Sequence, residues 1–92
     1  MITINEEEFM KFMSCFEKTP LPENKGLVKK ILDKRKGDLV IVEDADRGYC
    51  LGRLNSTKAK GYSLENNGNL QELPYSSLKA LYLPPHNGKG FD

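Results

Sequence analysis

The fold is decided by five short segments, GDLVIVED (37–44), GYCLGRLN (48–55), KGYSLENN (60–67), GNLQELP (68–74) and SSLKALYLP (76–84). Each segment is rich in strand-forming residues and is bounded by turn-forming residues such as Gly, Asn, Asp, Ser and Pro. This alternation of apolar runs and turns predicts a small five-stranded antiparallel barrel or strongly bent sheet.

Three local signals support this layout. Residues 39–42 (LVIV) are apolar at every position, so this strand is expected to be covered on both faces. Gly52 lies inside the second strand, which is typical of a bend or of a close backbone approach. Asn67-Gly68 is the strongest hairpin signal in the chain and predicts a two-residue turn with positive φ at both positions.

Two helices are predicted ahead of the sheet. The first begins after Asn5, an N-cap residue whose capping box is completed by Glu8. The second is expected at about residues 23–36, with Gly37 as its left-handed stop. We expect both apolar stripes to pack on one side of the sheet against Val40 or Val42. The residues of the two stripes are Phe9, Phe12, Met13 and Phe16 in the first helix, and Leu27, Val28, Ile31 and Leu32 in the second. Phe12→Ala is expected to cost about 3–5 kcal/mol if the Phe12 side chain is fully buried.

Length and composition predict one α+β domain over residues 1–92, with a helical part (1–36), a β part (37–83) and a flexible tail (84–92). The apolar fraction of 38% and the charged fraction of 29% are typical of a globular chain. No apolar run approaches the roughly eighteen residues of a membrane span. The N-terminal segment MITINEEEF is acidic, unlike a secretory signal, so a cytoplasmic location is expected.

The layout of residues 38–83 resembles an SH3-like barrel. The resemblance is carried by the bent second strand, the Asn-Gly hairpin and the short turn PYSSL (74–78) before a last strand. It implies a rigid binding platform. Peptide-binding SH3 domains carry paired tryptophans, but this chain has no Trp, and only Tyr62 and Tyr75 could replace them. The resemblance therefore implies a fold and a binding role without implying recognition of proline-rich peptides.

Residues suited to catalysis are scarce. The single histidine, His86, falls in the predicted tail, and neither Cys15 nor Cys50 has a histidine partner indicated by spacing. Both cysteines are expected to be small buried hydrophobes. We therefore expect a protein that is not an enzyme, with no catalytic residue, no metal site and no cofactor.

Two classes of binding function remain. The first is a small protein-interaction module, such as an adaptor, inhibitor or regulatory protein, that binds a protein partner through exposed Tyr and Arg side chains of the barrel surface. The second is a nucleic-acid or anion-binding protein. A nucleotide-sized ligand held between two copies is a third alternative. The formal net charge of only +1 favours the first class, because dedicated nucleic-acid binders are usually more basic.

The two leading hypotheses name different residues. The partner-binding candidates are Tyr49, Tyr62, Tyr75 and Arg53. The nucleic-acid or anion candidates are Lys34, Arg35, Lys36, Arg53, Lys58 and Lys60. Nucleic-acid binding requires the basic residues to converge on one surface. In an interaction module, those residues are expected to be scattered or paired with Asp and Glu.

Overall fold

Seven antiparallel strands and two helices make up residues 3–85, the part of the chain that the computed structural model describes. The strands are β1 (Thr3–Ile4), β2 (Glu17–Thr19), β3 (Leu39–Asp44), β4 (Gly48–Thr57), β5 (Gly61–Asn66), β6 (Asn69–Pro74) and β7 (Leu78–Leu83). The helices are α1 (Glu6–Phe12) and α2 (Gly26–Asp33), and two 3-10 turns cover Met13–Cys15 and Tyr75–Ser77. The predicted α+β class is confirmed. The count of five strands is wrong, because β1 and β2 add to the sheet. From residue 86 onward, the predicted tail lies outside the described residues.

The long strand β4 joins the two halves of the sheet. The strand order is β2-β7-β3-β4-β5-β6, with β1 beside β4, and the sheet does not close on itself. The first part of β4 pairs with β3 and its last part pairs with β5, across a register shift between Leu54 and Ser56. A Cβ atom at Gly52 would lie 3.0 Å from the Cβ of Leu64. The close backbone approach predicted at Gly52 is therefore confirmed.

Strand β3 is buried on both faces, as the sequence predicts. Val40, Ile41 and Val42 are all fully buried. Because successive side chains of a strand point to opposite faces, Val40 and Val42 share one face and Ile41 lies on the other. Helix α2 covers the face of Val40 and Val42, where its residues Val28 and Leu32 are part of the hydrophobic core.

Helix α1 lies on the opposite face of the sheet. Phe9 stacks on Tyr49 with a centroid separation of 4.0 Å and meets Tyr82 edge-on at 5.0 Å. Tyr82 pairs with Ile41, and Tyr49 pairs with Glu43 two residues farther along β3, so both rings share the face of Ile41. The expectation that both helices pack on one side is wrong. Each face of β3 needs its own cover, and one helix covers one face.

The start of α1 agrees with the prediction from the sequence, but its end does not. The backbone N–H of Glu8 donates to the side-chain oxygen of Asn5 at 2.7 Å, and the Asn5 N–H donates to the Glu8 carboxylate at 3.1 Å. The predicted capping box is therefore confirmed. Phe12 is 39% exposed rather than buried, because α1 ends there and the 3-10 turn redirects the chain toward β2. Leu27, expected in the core-facing stripe of α2, is exposed as well.

The different burial of two phenylalanines in α1 predicts different costs of truncation. Phe9→Ala should lower the free energy of unfolding by about 3–5 kcal/mol, the usual cost for a buried phenylalanine. Phe12→Ala should cost much less, since its side chain is already partly in water. Denaturant unfolding of the two variants measures both values. Equal destabilisation would contradict the described placement of α1.

The positive φ angles of the turn between β5 and β6 predict how substitutions at Gly68 change the stability of the protein. Asn67 has φ of 54° and Gly68 has φ of 83°, as predicted for this hairpin. Gly68→Val should lower the free energy of unfolding by roughly 1–2 kcal/mol, because a β-branched residue is strained at positive φ. Gly68→Asn is the matched control, since Asn tolerates this conformation and no atom lies within 4 Å of an added Cβ. Equal denaturation midpoints for the two variants would show that backbone strain is not the cause.

Candidate interaction surface

Tyr62 and Tyr75 lie in the core. They are 2% and 3% exposed, and their rings stack with centroids 5.6 Å apart. The Tyr75 hydroxyl donates to the carbonyl oxygen of Lys58 at 2.8 Å, whereas the Tyr62 hydroxyl has no partner among residues 3–85. Burial raises the pKa of both phenols. The expectation that these tyrosines are exposed is wrong, because their rings fill the interior beside the β5–β6 hairpin.

Tyr49 lies on the outer face of the sheet, under α1. It is half-buried, and one face of its ring is covered by Phe9. Strand β1 runs alongside, with Ile4 opposite Tyr49. Burial raises the pKa of the Tyr49 phenol, and the nearby Glu43 carboxylate acts in the same direction. Tyr49 therefore anchors α1 to the sheet, and its role as a partner contact stays a prediction.

Five of the six predicted basic residues line three grooves, two of which adjoin, and Lys36 lines none of the three. Lys58 and Lys60, in the loop between β4 and β5, line a groove that also contains Glu72. Arg53 lines a groove at the end of α1. Lys34 and Arg35 line a third groove beside α2. The structure thus brings Lys58 close to Lys60 and Lys34 close to Arg35, but it divides the predicted cluster among these grooves.

Several of these cations also have local partners. The closest atom pairs are Lys58 Nζ to Glu72 Oε2 at 3.0 Å, Arg35 to Asp38 Oδ2 at 3.3 Å, and Lys36 Nζ to Asp33 Oδ1 at 3.8 Å. Asp33 also accepts hydrogen bonds from the Thr57 hydroxyl and the Lys29 ammonium, and these bonds lower the pKa of its carboxyl group. The Asp33 carboxylate is therefore ionised at neutral pH, where it offsets the charge of the neighbouring lysines.

An apolar groove of about 380 Å³ opens where α1 ends against β3 and β4. The residues that line and define this apolar groove are Phe12, Cys15, Phe16, Gly37, Asp38, Leu39, Arg53 and Pro84. Phe12 and Leu39 are 39% and 40% exposed, so two large hydrophobic side chains remain in contact with water. A groove of this volume lies within the usual range for ligand-binding pockets.

The backbone positions the rim of this groove. Leu39 and Arg53 are directly opposite each other on β3 and β4. The Arg53 guanidinium donates to the Gly37 carbonyl oxygen at 2.7 Å, which fixes a positive charge beside the apolar lining. Of the groove residues, the sequence singles out only Arg53 as a binding candidate. The spacing of Phe12 and Phe16 indicates a helical stripe, and nothing in that pattern reveals that the helix stops at Phe12.

The two cysteines differ in their surroundings. Cys50 is buried in the core, as expected, and burial raises the pKa of its thiol. Cys15 is exposed and lines the apolar groove, so the expectation that it is buried is wrong. The cause is the 3-10 turn Met13–Cys15, which carries this residue away from the sheet.

Two further properties of residues 3–85 concern metals and membranes. No group of three or more His, Cys, Asp or Glu side chains in this part of the chain is arranged to hold a metal ion. None of its helices combines the length and the apolar composition needed to cross a membrane.

The two buried tyrosines predict opposite responses to the same substitution. Tyr62→Phe should leave the free energy of unfolding unchanged or raise it, because the hydroxyl that it removes is buried without a partner. Tyr75→Phe should cost about 1 kcal/mol, the typical net value of a lost hydrogen bond. Each substitution preserves the stacked ring pair, so the variants control for each other in denaturant unfolding. A larger loss for Tyr62→Phe than for Tyr75→Phe would reverse the assignment of the unpartnered hydroxyl.

Comparison with known proteins gives no guide to the function of this surface, so its interpretation depends on its own side chains. No protein-family model, no curated protein and no solved structure matches the chain. The apolar groove combines aromatic and aliphatic residues with a fixed arginine, and this combination of residue types is characteristic of the centre of protein interfaces.

Proposed function

We propose that this chain is a small non-catalytic protein-interaction module that binds a protein partner through the apolar groove. The observation that carries the proposal is the half-exposed position of Phe12 and Leu39 beside Arg53. Interface hot spots combine buried aromatic side chains with arginine, surrounded by contacts that exclude water. A partner side chain that entered the groove would remove Phe12 and Leu39 from water and would lie next to the guanidinium.

We also propose that the sheet is an open form of an SH3-like barrel, extended by two short strands and two helices. The order β7-β3-β4-β5-β6 and the 3-10 turn Tyr75–Ser77 before β7 support this assignment. The proposed binding surface does not use the two tyrosines that could replace the SH3 tryptophans, since both are in the core. It uses the surface that α1 adds to the barrel.

The alternative function is binding of nucleic acid or another anion through Lys34, Arg35, Lys36, Arg53, Lys58 and Lys60. It would need cations that follow a phosphate backbone. The separation of Lys58 and Lys60 from the adjoining grooves of Arg53, Lys34 and Arg35 weighs against it, as do the carboxylates beside Lys58, Arg35 and Lys36. Its characteristic property would be strong salt dependence, which distinguishes it from the first proposal in a binding assay.

Paired substitutions test the proposed groove. The groove variant is Phe12→Ser/Leu39→Ser, and the matched control is Leu27→Ser/Leu70→Ser, which removes two exposed leucines that do not line the groove. The immobilised chain is used to capture a protein from its native host, and the purified partner is then titrated by calorimetry. We expect the control to bind like the unmodified chain and the groove variant to bind roughly thirtyfold more weakly, the loss of one hot spot.

Circular dichroism and thermal unfolding establish that both double variants are folded. Equal partner affinity of the groove variant and the unmodified chain would contradict the proposal. So would salt-sensitive binding to a single-stranded oligonucleotide that is unaffected by the groove substitutions, because that result supports the alternative.

A further inference from the structure

A second groove, lined by cations, lies beside α2. It has a volume of about 360 Å³. Its lining, which defines the basic groove, consists of Thr19, Lys30, Ile31, Lys34, Arg35 and Leu83. Ile31 and Leu83 supply apolar surface, and the Lys30 and Lys34 side chains lie one helical turn apart, at positions i and i+4.

The lysines in the last turns of α2 and just after it fall into two groups. Lys29 and Lys36 both lie next to the Asp33 carboxylate, at 3.0 and 3.8 Å. Lys30 and Lys34 make no ion pair within residues 3–85, although like charges at this spacing disfavour a helix. The helix dipole favours cations near this end of α2 but does not account for the apolar surface that accompanies them in the groove. Among the cations of residues 29–36, those without a carboxylate partner are therefore Lys30 and Lys34, which line the basic groove.

The basic groove and the apolar groove meet at one end of the sheet. The Arg35 guanidinium of the basic groove lies 3.3 Å from the Asp38 carboxylate of the apolar groove. Leu83 of the basic groove is followed directly by Pro84 of the apolar groove. Strand β3 begins and the antiparallel strand β7 ends at this point, so the two grooves form one surface that passes around the end of the sheet.

We infer that this combined surface binds an acidic segment of a protein partner, which places an apolar side chain in the apolar groove and neighbouring carboxylates against Lys30 and Lys34. This inference rests on the proposed function and specifies the chemistry of the partner. Charge complementarity selects the acidic residues, because Arg35 already has Asp38 as a partner whereas the two lysines have uncompensated charge. The apolar lining favours a polypeptide over a duplex nucleic acid, since a phosphate backbone would leave Phe12 and Leu39 in water.

Selection of peptides from a random linear library displayed on phage tests this inference with a defined probe. The full chain is immobilised at low ionic strength, and the enriched peptides are sequenced. We expect them to combine an aromatic residue or leucine with an excess of Asp and Glu nearby. The variant Lys30→Glu/Lys34→Glu should lose the acidic excess and retain the apolar preference. The control Lys58→Glu/Lys60→Glu carries the same change of charge in a separate groove and should retain both preferences.

Titration of one selected peptide gives the size of the effect. Its Kd should rise about tenfold for the Lys30→Glu/Lys34→Glu variant, since two exposed ion pairs are lost, and its salt dependence should become weaker. Enriched peptides with an apolar residue but no acidic excess would overturn the inference and leave the proposed function standing. The absence of any enrichment would overturn the inference of a linear segment, whereas the calorimetric comparison of groove variants decides the proposed function separately.

Two further outcomes would show that the surface binds something other than an acidic protein segment. Tighter binding of a single-stranded oligonucleotide than of any selected peptide, lost with Lys30→Glu/Lys34→Glu, would assign the basic groove to nucleic acid. Sedimentation that shows a dimer of the unmodified chain, dissociated by the same substitutions, would assign the surface to a second copy of the chain. Either result would overturn the inferred acidic segment.

Discussion

The burial of β3 on both faces is the constraint on which the other elements depend. Val40, Ile41 and Val42 are fully buried, and removing each such side chain from water contributes about 1.5–3 kcal/mol. Residues 39–42 of the strand carry no polar side chain on either face, so the sheet needs a cover on each face here. The helices that supply these covers are only seven and eight residues long, too short to be stable in isolation. Strand and helices therefore stabilise one another as one unit.

The same constraint produces the apolar groove. Side chains alternate along β3, so Leu39 shares the face of Ile41 and would need the same cover. Helix α1 provides that cover with one buried side chain, Phe9, and ends at Phe12. Beyond Phe12, no helix within residues 3–85 covers the end of the sheet. Phe12, Phe16 and Pro84 lie there and border an open groove. The proposed binding surface is thus the part of the outer face that a short helix cannot reach.

The features that could be predicted correctly from the sequence are those set by local interactions. The capping box of α1 and the Asn67-Gly68 turn each depend on residues three or fewer positions apart, so their residue types specify their geometry. Helical spacing shows that a helix is amphipathic but not which face of a sheet it covers, and the two helices take opposite faces. Tyrosine is compatible with both core and interface, so exposure of Tyr62 and Tyr75 does not follow from residue type. Strands β1 and β2 are too short for a pattern of their own and exist through pairing with β4 and β7.

Charge acts locally in this molecule. The formal net charge of +1 gives the chain no strong overall field, so long-range attraction would not distinguish one anionic partner from another. Asp33 offsets the charge of Lys29 and Lys36, and its lowered pKa keeps it ionised well below neutral pH, so this compensation persists across the physiological range. The charge of Lys30 and Lys34 is consequently confined to the basic groove, within reach of a carboxylate that is already docked. In the proposed complex, the apolar contacts would provide most of the affinity, and the two lysines would fix the direction in which the bound segment runs.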